Sequence, residues 1–296
     1  MSTNINNRNR QPKGTSKGGQ FAPETHSETP NDLDATSNDT KATIIEHYPN
    51  GNLELEKWYN KYGNLDRVDG PACIRYREDG TISEEEWWQD GLQHRADGPA
   101  DIEYYKDGSV KTEAWYNDGE CHRTDGPAKI SYRKDGNLSR EQWYRHGRAH
   151  RADGPARVYY NPDGTIRIEE WWRNGGLHRT DGPTRTEYDE YGNIEREEWY
   201  NRDGEKHRGD GPAWVNYRPD GTILSEEWYQ YGQPYRVDGP ASIEYYENGS
   251  IKSELWWQDG TIHRDNEPAS IAYNPDGSIE YETWWQNGKP STPPAH

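Results

Sequence analysis

The chain has 296 residues, only 29% of them hydrophobic, with one Phe and one Met against 14 Trp and 22 Tyr, and a formal charge of −18. So few aliphatic side chains exclude a thick, dry core, and so many rings exclude a chain disordered throughout. The acidic balance argues against direct binding of nucleic acid or anionic membrane, because such a surface repels phosphate groups.

Residues 1–41 carry five basic and five acidic side chains, so the acidic excess lies wholly downstream. This segment is rich in Asn, Ser, Thr, Gly, Lys and Pro and is expected to be a disordered tail. Its "GGQFAP" stretch, holding Phe21, is a candidate docking or packaging tag. The opening "MSTNINNRNRQPKG" lacks the apolar run of a signal peptide, and no long apolar run follows, which predicts a cytoplasmic protein. Cys73 and Cys121 fall at non-equivalent places and are expected to be free thiols.

From Ala42 to Gly288 one unit is written nine times, the first copy partial. "DGP" recurs at Asp69, Asp97, Asp125, Asp153, Asp181, Asp210 and Asp238, degrading to "NEP" at Asn266, in steps of 28 residues with one of 29 after Asp181. A fixed period of this length marks a repeat array. Each unit follows DGPAxIxYxxDGxIxxExW(W/Y)xxGxxHRx. Ala72, Ile74 and Tyr76 alternate with Cys73 and Arg75, the pattern of a strand with one buried face. Asp79-Gly80 then reverses the chain, since Gly takes positive φ readily. A second strand runs from Ile82 to Trp88, "QDG" reverses the chain again, and "HRxDGPA" is expected to run on into the next strand with a bend at Gly-Pro. The predicted fold is therefore all-β: an elongated, twisted antiparallel meander of about nine 28-residue β-hairpin repeats, largely one layer thick. At ~4.8 Å between strands, equivalent residues recur every ~9.6 Å and the array spans roughly 85 Å. Residues 289–296, "KPSTPPAH", form a Pro-rich tail expected to discourage further pairing, although an open sheet end invites self-association.

The pattern YYxxGxxxxExWYxxGxxH, as in Tyr104–His122, resembles the MORN-repeat variant of bacterial and giant-virus proteins, including YwqK-type antitoxins. The resemblance covers Ala42 to Gly288 and implies a scaffold rather than a reaction. The added "HRxDGPA" departs from the shorter MORN repeat, so the lipid binding of some MORN proteins does not carry over. The tail is separately similar to a "GGQFA" motif of actinobacterial and phage proteins.

Three letters persist through the units: Glu85, Trp87 and Arg95, then Glu113, Trp115 and Arg123, then Glu141, Trp143 and Arg151. Positions i and i+2 of a strand share a face, so Glu85 and Trp87 point together. An adjoining Arg is expected to stack on the indole while its fork meets the Glu carboxylate, forming a structural ladder. The second aromatic of each unit (Trp88, Tyr116, Tyr144) points to the other face.

No chemistry emerges from these letters. His94, His122, His150, His178, His207 and His263 share one register place and sit ~9.6 Å apart, too far for ligands that must lie ~2 Å from one ion. The Asp-Gly pairs lack calcium-loop spacing. Adjacent acids such as Glu169-Glu170 face opposite ways. No catalytic site, metal or cofactor is expected, and the chain is not expected to be an enzyme.

Variation among copies points instead to recognition. The outward strand positions differ from unit to unit, and Trp214 places a large ring where others have small or polar residues. Trp214, Tyr159, Tyr105 and Tyr246 are the candidate partner-binding residues. The expected function is a non-enzymatic scaffold for a protein partner, antitoxin-like or a phage-encoded host modulator. Two alternatives stay open: an acidic mimic of nucleic acid that blocks a DNA-binding enzyme, and glycan or cell-wall binding by exposed rings.

Overall fold

The computed structural model describes residues 42–293, with side chains from Ile44 onward. The expectations for residues 1–41 lie outside the described residues. The described chain is all-β, and no helix in it is long and apolar enough to cross a membrane.

A 19-stranded antiparallel sheet carries the array. Each unit supplies one hairpin, such as Cys73–Tyr76 with Ile82–Glu86, whose register pairs Cys73 with Glu86 and Arg75 with Glu84. The second strand then pairs with the next unit, Glu85 opposite Ile102 and Glu86 opposite Asp101. The same two registers recur along the array, as in Lys129–Tyr132 with its neighbours.

The hairpin reversal is set by local chemistry. At Arg77–Thr81 the Gly80 N–H bonds to the Arg77 carbonyl, Gly80 takes φ +84°, and Asp79 Oδ1 accepts the Thr81 N–H at 3.1 Å. This is a turn followed by a left-handed residue, and it leaves a bulge between Arg75 and Tyr76 in the register.

The strand does not continue through Trp87 as the alternation implied. The Trp87 N–H goes to the Ala100 carbonyl while its own carbonyl accepts the His94 N–H, so the main ladder stops there. Trp88–Gln89 and Leu92–Gln93 then form a separate two-stranded hairpin closed at Asp90-Gly91, both at positive φ. Six such small hairpins recur, so a unit has four strand segments rather than two. They are tied in series: the Gly119 N–H bonds to the Gln93 carbonyl of the preceding unit at 2.9 Å, and Gly147 to Cys121 at 3.0 Å.

The 29-residue step has a local cause. Between Trp199 and Trp228 the small hairpin is replaced by a longer loop, Asn201–Glu205, with an isolated bridge from Tyr200 to Lys206. The first unit uses the same loop at Asn60–Asn64. In the last unit Ile279–Gln286 is one unbroken strand, and Lys289–Ser291 pairs back onto it. The hairpin thus extends into the Pro-rich segment, where it occupies Trp284–Gln286 and not Ile279–Thr283.

The segment after His94 does not run straight into the next strand either. Residues 95–99 fold into a loop around the Arg95 side chain, described below. Beyond it, Ala72, Ala100, Ala128, Ala156, Ala213, Ala241 and Ala269 are 0–1% exposed. One unit has Thr184 there, and its hydroxyl is satisfied by donating to the Glu198 carbonyl at 3.0 Å and accepting the Tyr200 N–H at 3.1 Å. A larger apolar side chain has no space at this place. Ala156→Leu should therefore lower stability by about 1–3 kcal/mol in urea titration, whereas Leu at the exposed Ala152 should change it by less than about 0.5 kcal/mol.

Candidate binding face

Invariant side chains act within and between units, though not as the expected Glu–Trp–Arg triplet. The Arg95 guanidinium carbon lies 4.1 Å from the Trp87 ring centroid. Its Nε meets Asp97 at 2.9 Å and its Nη1 donates to the Pro99 carbonyl at 3.2 Å. Gly98 closes the other side: a Cβ there would stand 3.0 Å from Arg95 Cζ. The cation is thus held between an indole and a bare backbone, and "DGP" is the sequence that wraps it. Arg123, Arg151 and Arg208 repeat the arrangement at 4.1 Å from Trp115, Trp143 and Trp199. Where Glu267 replaces this glycine, Asn266 takes φ +57° and Arg264 pairs with Glu267 instead.

The expected carboxylate partner is corrected accordingly. Glu85 does not receive the guanidinium fork; it accepts the Tyr104 hydroxyl of the next unit at 2.5 Å. Glu113 accepts Tyr132 at 2.9 Å and Glu141 accepts Tyr160 at 2.5 Å. Physically, Arg95 is consumed by the loop it closes, leaving Glu85 to the strand beside it. The rings are stacked within a unit and the carboxylates join one unit to the next.

The histidines also have a structural use. Nδ1 of His94, His122, His150, His207 and His263 accepts the backbone N–H of the positive-φ residue in the following turn, at 3.0–3.3 Å. Asp66 does the same for Asp90 at 2.9 Å. Any acceptor of suitable reach fills this place, which explains why Asp substitutes for His.

Two candidate tyrosines are similarly occupied. Tyr105 donates to the Tyr132 carbonyl at 3.0 Å and Tyr246 to the Tyr273 carbonyl at 2.7 Å, each bridging to the next unit. Arg77, Arg133 and Arg218 reach equivalent carbonyls in other copies. Trp214 is half-buried rather than exposed: Lys206 Nζ sits 3.5 Å from its centroid and Arg196 Cζ 4.8 Å. Tyr159 lies between Arg140 and Ile168 on the neighbouring strands.

The variable face therefore consists of two rows. One, running through Cys73, Glu86, Asp101 and Ala114, is covered by the small hairpins: Cys73 is 1% and Ala114 0% exposed. Burial first, and then Glu86, push the Cys73 thiol up to about 12. Burial, with Glu84 and Glu86 nearby, pushes Asp101 up to about 6. The other row, through Arg75, Glu84, Glu103 and Thr112, lies two residues closer to the hairpin loops.

In the covered row, one stretch departs from the rest. Here Arg157, Glu170, Arg185 and Glu198 face one another in series with alternating charge, whereas the same places elsewhere hold a mixture such as Cys73, Glu86, Asp101, Lys129, Gln142 and Ser242. Arg185 Nη1 meets Glu198 at 2.6 Å, its Nε meets Glu170 at 3.5 Å, and its Nη2 contacts Glu187 of the open row. Glu187 also meets Arg196 at 3.1 Å, and Arg196 Nε donates to Asn216 at 2.9 Å. Burial opposes the Arg185 charge, but Glu198, Glu187 and Glu170 outweigh it and hold its pKa above the ordinary value. Buried ion pairs of this kind are often no more stabilising than apolar residues of like volume. The fold does not require them, since other units do without. Beside them, Tyr159 and Ile168 form an adjacent pair on the open row.

No family model and no curated protein matches the chain. Among solved structures, TcdB2-TccC3 without its hypervariable C-terminal region is similar at 14% identity and a TM-score of 0.14, over 80% of this chain and 17% of that one. The TcdB2-TccC3-Cdc42 complex gives 11% and 0.14, over 81% and 12%. The Tc holotoxin pore of Photorhabdus luminescens gives 13% and 0.13, over 79% and 14%. The chain spans less than a fifth of each, and superposition this poor carries no argument about it.

The Glu–Tyr junctions make a pH prediction. Burial first, and then the partner carboxylate, raise the pKa of Tyr104, Tyr132 and Tyr160. A folded-state pKa above the unfolded ~10 stabilises below that pH and is lost as pH rises through the folded value. Stability to urea should fall above about pH 10. Tyr132→Phe should cost about 0.5–1.5 kcal/mol at neutral pH and show a shallower alkaline decline, read from urea midpoints at stepped pH.

Proposed function

We propose that the chain is a non-enzymatic scaffold that holds a protein partner against the variable sheet face, centred on Tyr159, Ile168 and the Glu187–Arg196 pair. The observation that carries this reading is the broken symmetry. The recurrent Trp, Arg, Glu and His side chains are spent inside the array, while one stretch between Arg157 and Trp214 joins alternating charges and a ring into a connected set where other copies have isolated ion pairs. A partner recognises a place, whereas stability alone favours sameness among repeats. The half-buried pair Tyr159–Ile168 supplies the apolar centre, and the adjoining ion pair supplies orientation. The MORN-like pattern and the GGQFA-like motif support an antitoxin-like or phage-derived host-modulating role in the cytoplasm.

A second reading has one observation in its favour. Asp69, Asp97, Asp125, Asp153, Asp181 and Asp210 form a periodic row of carboxylates with side chains 77–87% exposed. Such a row suits an acidic mimic entering a basic cleft.

Affinity purification from the native host separates the two. One protein should co-purify in stoichiometric amount with the wild-type chain. The double variant Tyr159→Asp with Ile168→Asp should reduce that recovery at least about tenfold, and Val68→Asp, in an exposed loop, should leave it unchanged. Equal recovery with both variants removes the site. A complex that dissolves steeply with added salt, indifferent to the double variant, favours the mimic.

A further inference from the structure

The two ends of the sheet carry complementary vacancies. Tyr281, Glu282 and Thr283 occupy the places that pair with a following unit elsewhere, as Ser253, Glu254 and Leu255 pair with Ala272, Ile271 and Ser270. Among the described residues their outer edge has no strand beside it, since Lys289–Ser291 pairs only with Trp284–Gln286. At the other end, Ala42–His47 pairs, among the described residues, only with Leu53–Trp58. Counted from its turn, Ile45 holds the register place of Ile271, and His47 that of Tyr273.

We propose that copies of this chain associate head-to-tail, the first strand of one copy pairing antiparallel with the last strand of another in the register that joins successive units. In that register Glu282 lies opposite Ile45, as Glu254 lies opposite Ile271. Tyr281 then meets Glu46, and Thr283 meets Ile44. His47 offers a ring N–H to Glu282 where Tyr273 donates its hydroxyl to Glu254 at 3.1 Å. The junction is thus the inter-unit junction of the array, with imidazole in place of phenol.

Two further features favour this occupant. Exposed large apolar or aromatic side chains mark both edges: Ile44 is 38% and Ile45 51% exposed at one, Ile279 54% and Tyr281 59% at the other. Neither "ATIIEH" nor "IEYET" contains the Lys or Pro with which edge strands commonly block pairing. Because unlike edges meet, the contact is head-to-tail, and each added copy leaves a free edge of either kind until a ring closes.

Sedimentation of the full chain tests this. The weight-average mass should at least double between ~10 µM and ~1 mM, by mass action. Ile45→Glu sets like charge against Glu282 and blocks one edge, and Glu282→Lys blocks the other; both side chains are exposed, and circular dichroism checks that each variant folds. Each variant alone should stay monomeric, and an equimolar mixture should associate. A wild-type chain that remains monomeric throughout overturns the proposal. So does Ile45→Glu dimerising alone, which indicates contact between like edges, or a mixture that stays monomeric.

Discussion

Everything in this array rests on one half-buried cation per unit. The Arg95 guanidinium carbon lies 4.1 Å from the Trp87 ring centroid, with Gly98 packed close to it and its Nη1 donating to the Pro99 carbonyl. Stacking on indole is worth about 0.5–1 kcal/mol when exposed and about 2 when desolvated. The Asp97 contact adds little, because that carboxylate is 84% exposed. Holding this one side chain turns an irregular, Pro-containing segment into a fixed loop. That loop delivers Ala100 to its buried place, and from there the next strand begins in register.

The same economy explains how a chain with so few aliphatic residues folds. The Arg side chain closes its own unit, while the Arg95 N–H reaches the Tyr116 carbonyl of the following one at 3.4 Å. Glu85 to Tyr104 and His94 to the Asp118 N–H add two further ties across the same junction. Polar contacts made once per unit accumulate along the array, so each repeat is stabilised chiefly by its neighbours.

Period, hairpin turns and meander order were legible because Gly, Asp and Pro act through local backbone geometry. Asp79-Gly80 and Asp90-Gly91 make the reversals their composition implies. The partner of each Glu was not legible, because alternation cannot show that the ladder stops at Trp87. Once it stops, Arg95 belongs to the loop and Glu85 to Tyr104. The environment of Trp214 escaped for a related reason: coverage of its row depends on the small hairpins and on Lys206, placed there by a longer loop. The chain of charges from Arg157 to Glu198 needs the cross-strand register, which a 28-residue period leaves open.

A double-mutant cycle on Trp143 and Arg151 tests the central claim most directly. Trp143→Leu, Arg151→Met and the pair together, compared by urea unfolding, should give a coupling energy of about 1–2 kcal/mol. Additive effects, with coupling near zero, would contradict the view that the stacked guanidinium is what closes each unit.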